Sequence, residues 1–176
     1  MKAKDDIDVA YLKDCLSYDP VTGYLTWNTR PNVPARINKR EAGQIAGTLS
    51  KDGYRRITIN YRAYVAHRLA WAIFYGEWPK STIDHIDRKR DNNQIKNLRL
   101  ASLKENRRNM SIQINNTSGY RGVCWDRQAN KWRAYIGIGG GKNKFLGLFA
   151  DQKLAAAAYS VKSQELYGEF QGSLQK

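Results

Sequence analysis

The chain has 176 residues, enough for one medium domain or two small ones. Lys and Arg outnumber Asp and Glu by 30 to 16, a formal charge of +14. The excess runs through the N-terminal, middle and C-terminal stretches alike, which argues against a single charged tail and fits a polyanionic partner, nucleic acid first. Cys15 and Cys124 form no CxxC pair, so neither a zinc ribbon nor a disulfide framework is expected. The charged start of the chain leaves no apolar core for a signal peptide, and no run has the length of a membrane span. A cytoplasmic protein with no membrane partner is the expectation.

Residues 8–16 read as a short helix with Val9, Leu12 and Leu16 on one face. Asp19-Pro20-Val21-Thr22-Gly23 is a turn between apolar flanks. From 28 to 41 there is no period, so a loop is expected, its Arg30, Arg36, Lys39 and Arg40 suited to DNA backbone or to solvent. Lys51-Asp52-Gly53 is a second turn, followed by β-structure in which Tyr54, Ile57 and Ile59 alternate. Between 66 and 75 the period becomes helical, with Leu69, Ala70, Ile73 and Phe74 on one face; Gly76 and Pro79 stop that helix.

The stretch 81–109 is polar, rich in asparagine, and holds His85 beside Asp84. A neutral imidazole can take a proton from water near pH 7. A carboxylate and an asparagine carbonyl can hold a hard divalent cation. Phosphodiester hydrolysis needs both functions. Residue types alone favour an ordinary solvated basic surface over a reactive centre. Adjacent strand residues point to opposite faces, so a shared site requires a bend or strand end at Asp84-His85.

Beyond a polar stretch at 111–119, three runs read as strands: RGVCWD, KWRAYIGIGG and KNKFLGLF. Asp151 is placed to cap a helix running to about Tyr167, with Leu154, Ala158 and Val161 inward. Along KWRAYI, alternation puts Trp132, Ala134 and Ile136 on the helix-covered face and Arg133 and Tyr135 outward. Arg127 and Lys144 flank the sheet. The glycines of 136–143 suit a hairpin turn, since no GxxxxGK[ST] pattern follows.

Two resemblances attach to these residues. IDHID at 83–87, NNQIKNLR at 92–99 and KENRRN at 104–109 resemble, in order and spacing, the motif of phage homing-type HNH endonucleases. LSYDPVTGYLTW at 16–27 and AHRLAWAIFYGEWP at 66–79 are similar to phage members as well, so the likeness covers about 12–109. It implies a ββα-metal hairpin and helix that binds one divalent cation, Mg²⁺ or Mn²⁺, through Asp84 and Asn106. His85 would activate water, and Asn97 would hold the hairpin loop. Asn92 and Asn93 read as turn formers. His67 and Arg68 are candidates for phosphate contact, with a packing role for His67 equally open.

The second resemblance is to the Apetala-two domain, carried by YRGV at 120–123, KWRAYI at 131–136, FLGLF at 145–149, AAAAY at 155–159 and Tyr167-Gly168. It implies that the sheet meets double-stranded DNA, with Arg121 at the family's contact position; the outward Arg133 and Tyr135 and the flanking Arg127 and Lys144 are the further candidates for DNA contact. Cys124, Trp125, Asp126, Gly137 and Phe145 depart from the plant pattern and imply looser or different base preference. The expected fold is α+β: a nuclease region over 1–110, a linker over 111–119, and a three-stranded antiparallel sheet on one helix over 120–170. The expected function is metal-dependent DNA cleavage by a monomer or homodimer in a phage-infected bacterial cell. A non-catalytic DNA-binding protein that keeps the HNH shape is the alternative, and an RNA-binding accessory protein a third.

Overall fold

The computed structural model describes residues 5–30, 32–110, 112–170, 172 and 174–175. The start of the charged N-terminal stretch, residues 1–4, lies outside them. The chain divides into two compact units, Met1–Leu103 and Lys104–Lys176.

In the first unit, helix α1 (Val9–Cys15) runs into a hairpin of β1 (Leu16–Tyr18) and β2 (Leu25–Trp27). Leu12 and Leu16 are buried as expected, although Leu16 belongs to the strand. The stretch expected as a loop contains a helix, α2 (Ala35–Glu41), none of whose residues is buried. It has no apolar face, which is why no period marks it. Polar bonds hold it instead: Asn38 accepts from Arg30 N and donates to the Arg30 and Val33 carbonyls, and Arg30 pairs with Glu41 at 2.5 Å.

Strands β3 (Thr48–Leu49), β4 (Arg55–Ile59) and β5 (Arg62–Val65) form an antiparallel sheet in that order. Ile57 and Ile59 point into the core, as the alternation requires. Helix α3 (Ala66–Tyr75) follows at once and ends at Gly76. It buries Ala66, Leu69, Ala70 and Ala72, whereas Phe74 is exposed. These side chains join Leu12, Leu25, Ile57, Ile83 and Leu98 in one core. Burial of each such aliphatic side chain contributes about 1.5–3 kcal/mol.

That core anchors the next pair of strands. β6 (Thr82–His85) and β7 (Leu98–Ala101) are antiparallel, with Ile83 opposite Leu100 and His85 opposite Leu98. A 3-10 turn (Ile95–Asn97) ends the loop between them. Helix α4 (Leu103–Arg108) follows in the chain and opens the second unit.

In the second unit, β8 (Val123–Asp126), β9 (Lys131–Gly139) and β10 (Lys142–Phe149) form an antiparallel sheet in the order β10-β9-β8. Helix α5 (Gln152–Tyr167) is capped by Asp151, which accepts from the backbone of Lys153 at 2.7 Å and Leu154 at 3.1 Å. The inward face differs from the expected one. Ala155, Tyr159 and Ser163 are buried, whereas Leu154 and Val161 are exposed. Ala155, Tyr159 and Ser163 form an i, i+4 stripe along one face of the helix. A side chain on Gly122 (φ +69) would meet the Tyr159 ring at 2.3 Å, so glycine there is what lets that ring lie against the chain before β8. The outcome is an α+β protein of small antiparallel sheets, as expected.

Candidate active site

Asp84 and His85 close strand β6, and both are buried. Because His85 is the last strand residue, the chain turns away just beyond it, with Arg88 N bonding back to the His85 carbonyl at 2.9 Å. Asp84 lies opposite Arg99 in the register, and Arg99 Nε and Nη2 each lie 2.9 Å from Asp84 Oδ2. Their side chains are 5% and 11% exposed, so this pair is largely shielded from solvent.

His85 packs among aromatic rings. Its ring centroid lies 5.0 Å from that of His67 and 6.0 Å from that of Tyr54, and Tyr54 and His67 lie 5.3 Å apart. Burial pulls the His85 imidazole below its ordinary pKa, opposed by its bond to Asn93 and by the charges of Asp87 and Asp84. His67, the second residue of α3, is pulled down to about 3, chiefly by burial and then by His85 and Arg68. At pH 7 both rings are therefore neutral, and a neutral ring can accept a proton.

The loop after β6 is braced from within. Asn97 Nδ2 donates to Asp87 Oδ1 at 2.9 Å and to the Asn92 carbonyl at 2.8 Å, and Asn97 Oδ1 accepts from Asp87 N at 3.0 Å. Asn92 Nδ2 donates to Asp87 Oδ2 at 2.7 Å. From outside, Arg55 Nε bonds Asp91 at 3.1 Å and Arg90 Nη1 bonds the Asp52 carbonyl at 2.7 Å. Arg90 also lies over the Tyr54 ring at 5.1 Å. The residue on the imidazole itself is Asn93, whose Oδ1 is 3.3 Å from His85 Nε2. Sequence reasoning passed over Asn93 because an asparagine pair in a polar loop resembles any turn.

The other anticipated residues fall in several places. His67 is buried, with Nδ1 unmatched by a hydrogen bond, rather than at the surface. Arg68 binds both oxygens of Asp5 and the carbonyls of Ser81 and Pro79, so its guanidinium is engaged within the protein. An open cleft of about 870 Å³ runs beside these residues, lined among others by Tyr54, Arg56, His67, Arg68 and Lys80. Asn106 lies half-buried on α4.

In the second unit, Arg133 and Tyr135 point outward from β9, with Arg133 paired to Asp126. Tyr135 lies opposite Phe145, which is also exposed. Arg121 precedes β8 rather than lying on it, and its guanidinium bonds the Met110 carbonyl. Arg127 occupies the exposed turn after β8. Lys144 sits opposite Ile136, on the helix side of the sheet, where its charge acts on Glu165. Trp125 meets Trp132 edge to face at 5.1 Å on that same side.

The donor that Asp84 offers at the end of β6 is a hard carboxylate oxygen, and among the described residues no group of three or more His, Cys, Asp or Glu converges. Such a donor fits Mg²⁺, which keeps several waters and takes one or two protein oxygens, and does not fit a closed zinc site. Among the described residues, no helix is long and apolar enough to cross a membrane.

This ββα hairpin-and-helix segment lies within residues 64–108, which match the family model described as HNH endonuclease. The chain carries an HNH endonuclease domain and belongs to the family of protein 3.8 of Escherichia phage T7, with which it is 35% identical over 112 residues, 62% of this chain and 90% of that protein. It is also 30% identical over 124 residues to an uncharacterised HNH endonuclease of Acanthamoeba polyphaga mimivirus, covering 69% of this chain and 63% of that one. The structure is similar to that of the HNH homing endonuclease I-HmuI, solved for its DNA binding and cleavage. The TM-score is 0.40 at 26% identity, over 60% of this chain and 55% of that one.

Proposed function

We propose that the protein is a metal-dependent DNA endonuclease. The observation that carries this reading is the buried Asp84-His85 pair at the end of β6, facing a braced loop inside the HNH-matched segment. His85, neutral at working pH, takes the proton of the attacking water. Asn97 keeps the loop closed around Asp87, so that the strand end is presented in one conformation. Asp84 would supply a carboxylate oxygen to a divalent cation, with Arg99 fixing its rotamer, and the resemblance to the HNH motif implies Asn106 as the second oxygen donor. When bound, the cation stabilises charge on the phosphate and the leaving oxygen.

The second unit binds the duplex, an assignment supported by its outward Arg133 and Tyr135 and by the basic balance of the chain. An arginine there pairs with phosphate or reads guanine. The test is incubation of supercoiled plasmid with the protein in Mg²⁺ and in EDTA, beside His85→Ala. Relaxed or linear DNA that requires both the metal and His85 supports the reading. Cleavage that survives His85→Ala overturns the role of His85, and no cleavage of any DNA, phage genomic DNA included, overturns the reading.

A further inference from the structure

The contact between His85 and Asn93 fixes more than the position of a ring. Asn93 is 2% exposed, and its Nδ2 donates to the Asp91 carbonyl at 3.3 Å. That bond turns the amide oxygen, rather than the nitrogen, toward His85 Nε2 at 3.3 Å. An amide oxygen only accepts, so a hydrogen bond at this contact requires the hydrogen on Nε2. We propose that Asn93 is a positioning residue that holds neutral His85 as its Nε2–H tautomer and leaves the basic lone pair on Nδ1. Its catalytic consequence rests on the reading of His85 as the base.

The backbone around Asn93 is itself clamped by the N-terminal hairpin. Tyr18 Oη donates to the Asn93 carbonyl at 2.7 Å, and Ile95 N donates to the Pro20 carbonyl at 3.2 Å. Gly23 (φ +79) sits so close that a Cβ there would lie 2.4 Å from Gln94 N and 2.6 Å from Asn93 C. No side chain fits at that point, because the obstructing atoms are backbone. Asp19 closes the same turn, accepting from Val21 N at 2.8 Å and from Thr22 Oγ1 at 2.7 Å. The β1–β2 hairpin lies upstream of the HNH-matched segment, yet through Asn93 it sets the orientation of the base. A free loop would let the amide rotate and both tautomers populate.

The experiment is ¹⁵N NMR of the imidazoles in the metal-free full chain at pH 8. The chain has two histidines, so the spectrum of His85→Asn assigns the remaining pair to His67 and the missing pair to His85. The expected result is a proton on His85 Nε2. It is lost or averaged in Asn93→Ala, partly averaged in Tyr18→Phe, and retained in Asn93→Asp, which keeps an acceptor. Unchanged His67 signals report that the fold survives. On supercoiled plasmid with Mg²⁺, Asn93→Ala lowers kcat roughly 10- to 100-fold at similar KM, and Asn93→Asp restores most of it. A proton on Nδ1 in the unaltered protein overturns the proposal, whatever the variants do. So does an Asn93→Ala protein with unchanged tautomer. If the unaltered protein cuts no DNA but shows the Asn93-dependent Nε2 proton, the positioning role stands and the nuclease reading falls.

Discussion

His67 and His85 meet edge to face inside the first unit, 5.0 Å between ring centroids and 83° between ring planes. One comes from the start of α3 and the other from the end of β6, and burial keeps both uncharged. Placing a proton on either ring costs desolvation and, if both are charged, repulsion across 5 Å.

Acid therefore destabilises this unit before its carboxylates titrate. The His67 pKa falls from 6.5 unfolded to about 3 folded, so below pH 6.5 the unfolded chain binds the extra proton. Stability is full above 6.5 and is lost as pH falls, by about 1.4 kcal/mol per pH unit for one such group. Urea unfolding between pH 7 and 4.5 measures this slope. His67→Leu, which also removes the unmatched buried Nδ1, should flatten it while leaving stability at pH 8 within about 1 kcal/mol. An undiminished slope in His67→Leu would rule out burial of His67 as the cause.

Asp84 and Arg99 form a shielded pair whose members depend on each other. Asp84→Ala removes the carboxylate oxygen that Arg99 Nε and Nη2 bond and should cost about 3 kcal/mol in urea unfolding. Adding Arg99→Leu should recover most of that stability and none of the cleavage, since the proposed cation has still lost its carboxylate. Mg²⁺ should raise the unfolding midpoint of the unaltered protein and leave that of the double variant unmoved.

Asn97 should act on stability and activity together. Asn97 is itself buried, and its amide makes three bonds to Asp87 and Asn92 in the loop after β6. Asn97→Ala leaves those groups without partners and should cost about 2–3 kcal/mol. Hydrogen exchange at the Asp87 amide should accelerate in step. Full cleavage with a protected Asp87 amide would contradict its bracing role.

Asp126 restrains Arg133 on the outer face of the sheet. Asp126→Asn should free the guanidinium and tighten DNA binding, whereas Arg133→Ala should weaken it and flatten its salt dependence by about one phosphate contact. Gel shifts at several salt concentrations provide the measurement. Equal affinities for both variants and the unaltered protein would place the DNA surface elsewhere.

Much of this was legible along the chain. The alternation of Ile57 and Ile59, the helical period at 66–75, the cap at Asp151 and the outward pair Arg133 and Tyr135 all follow from local rules, because each depends on neighbours a few residues away. Helix α2 was not legible, since bonds from Arg30 and Asn38 rather than an apolar stripe define it. The buried face of α5 was misread as well: hydrophobicity favours Leu154 and Val161, whereas Ala155, Tyr159 and Ser163 are buried and the Tyr159 ring rests on Gly122, a contact between distant segments.

At the candidate site the division is similar. By itself the sequence determined the basic character of the protein, the order Asp84, His85, Asn97 and Asn106, and the elements that carry them, since spacing and period are properties of the chain. Only the tertiary structure decided that His67 meets His85 edge to face, that Arg99 holds Asp84, and that Asn93 faces the imidazole under the clamp of Tyr18 and Gly23. These contacts join residues up to 75 positions apart, and their energies come from burial and shielded hydrogen bonds that exist only once distant segments have packed.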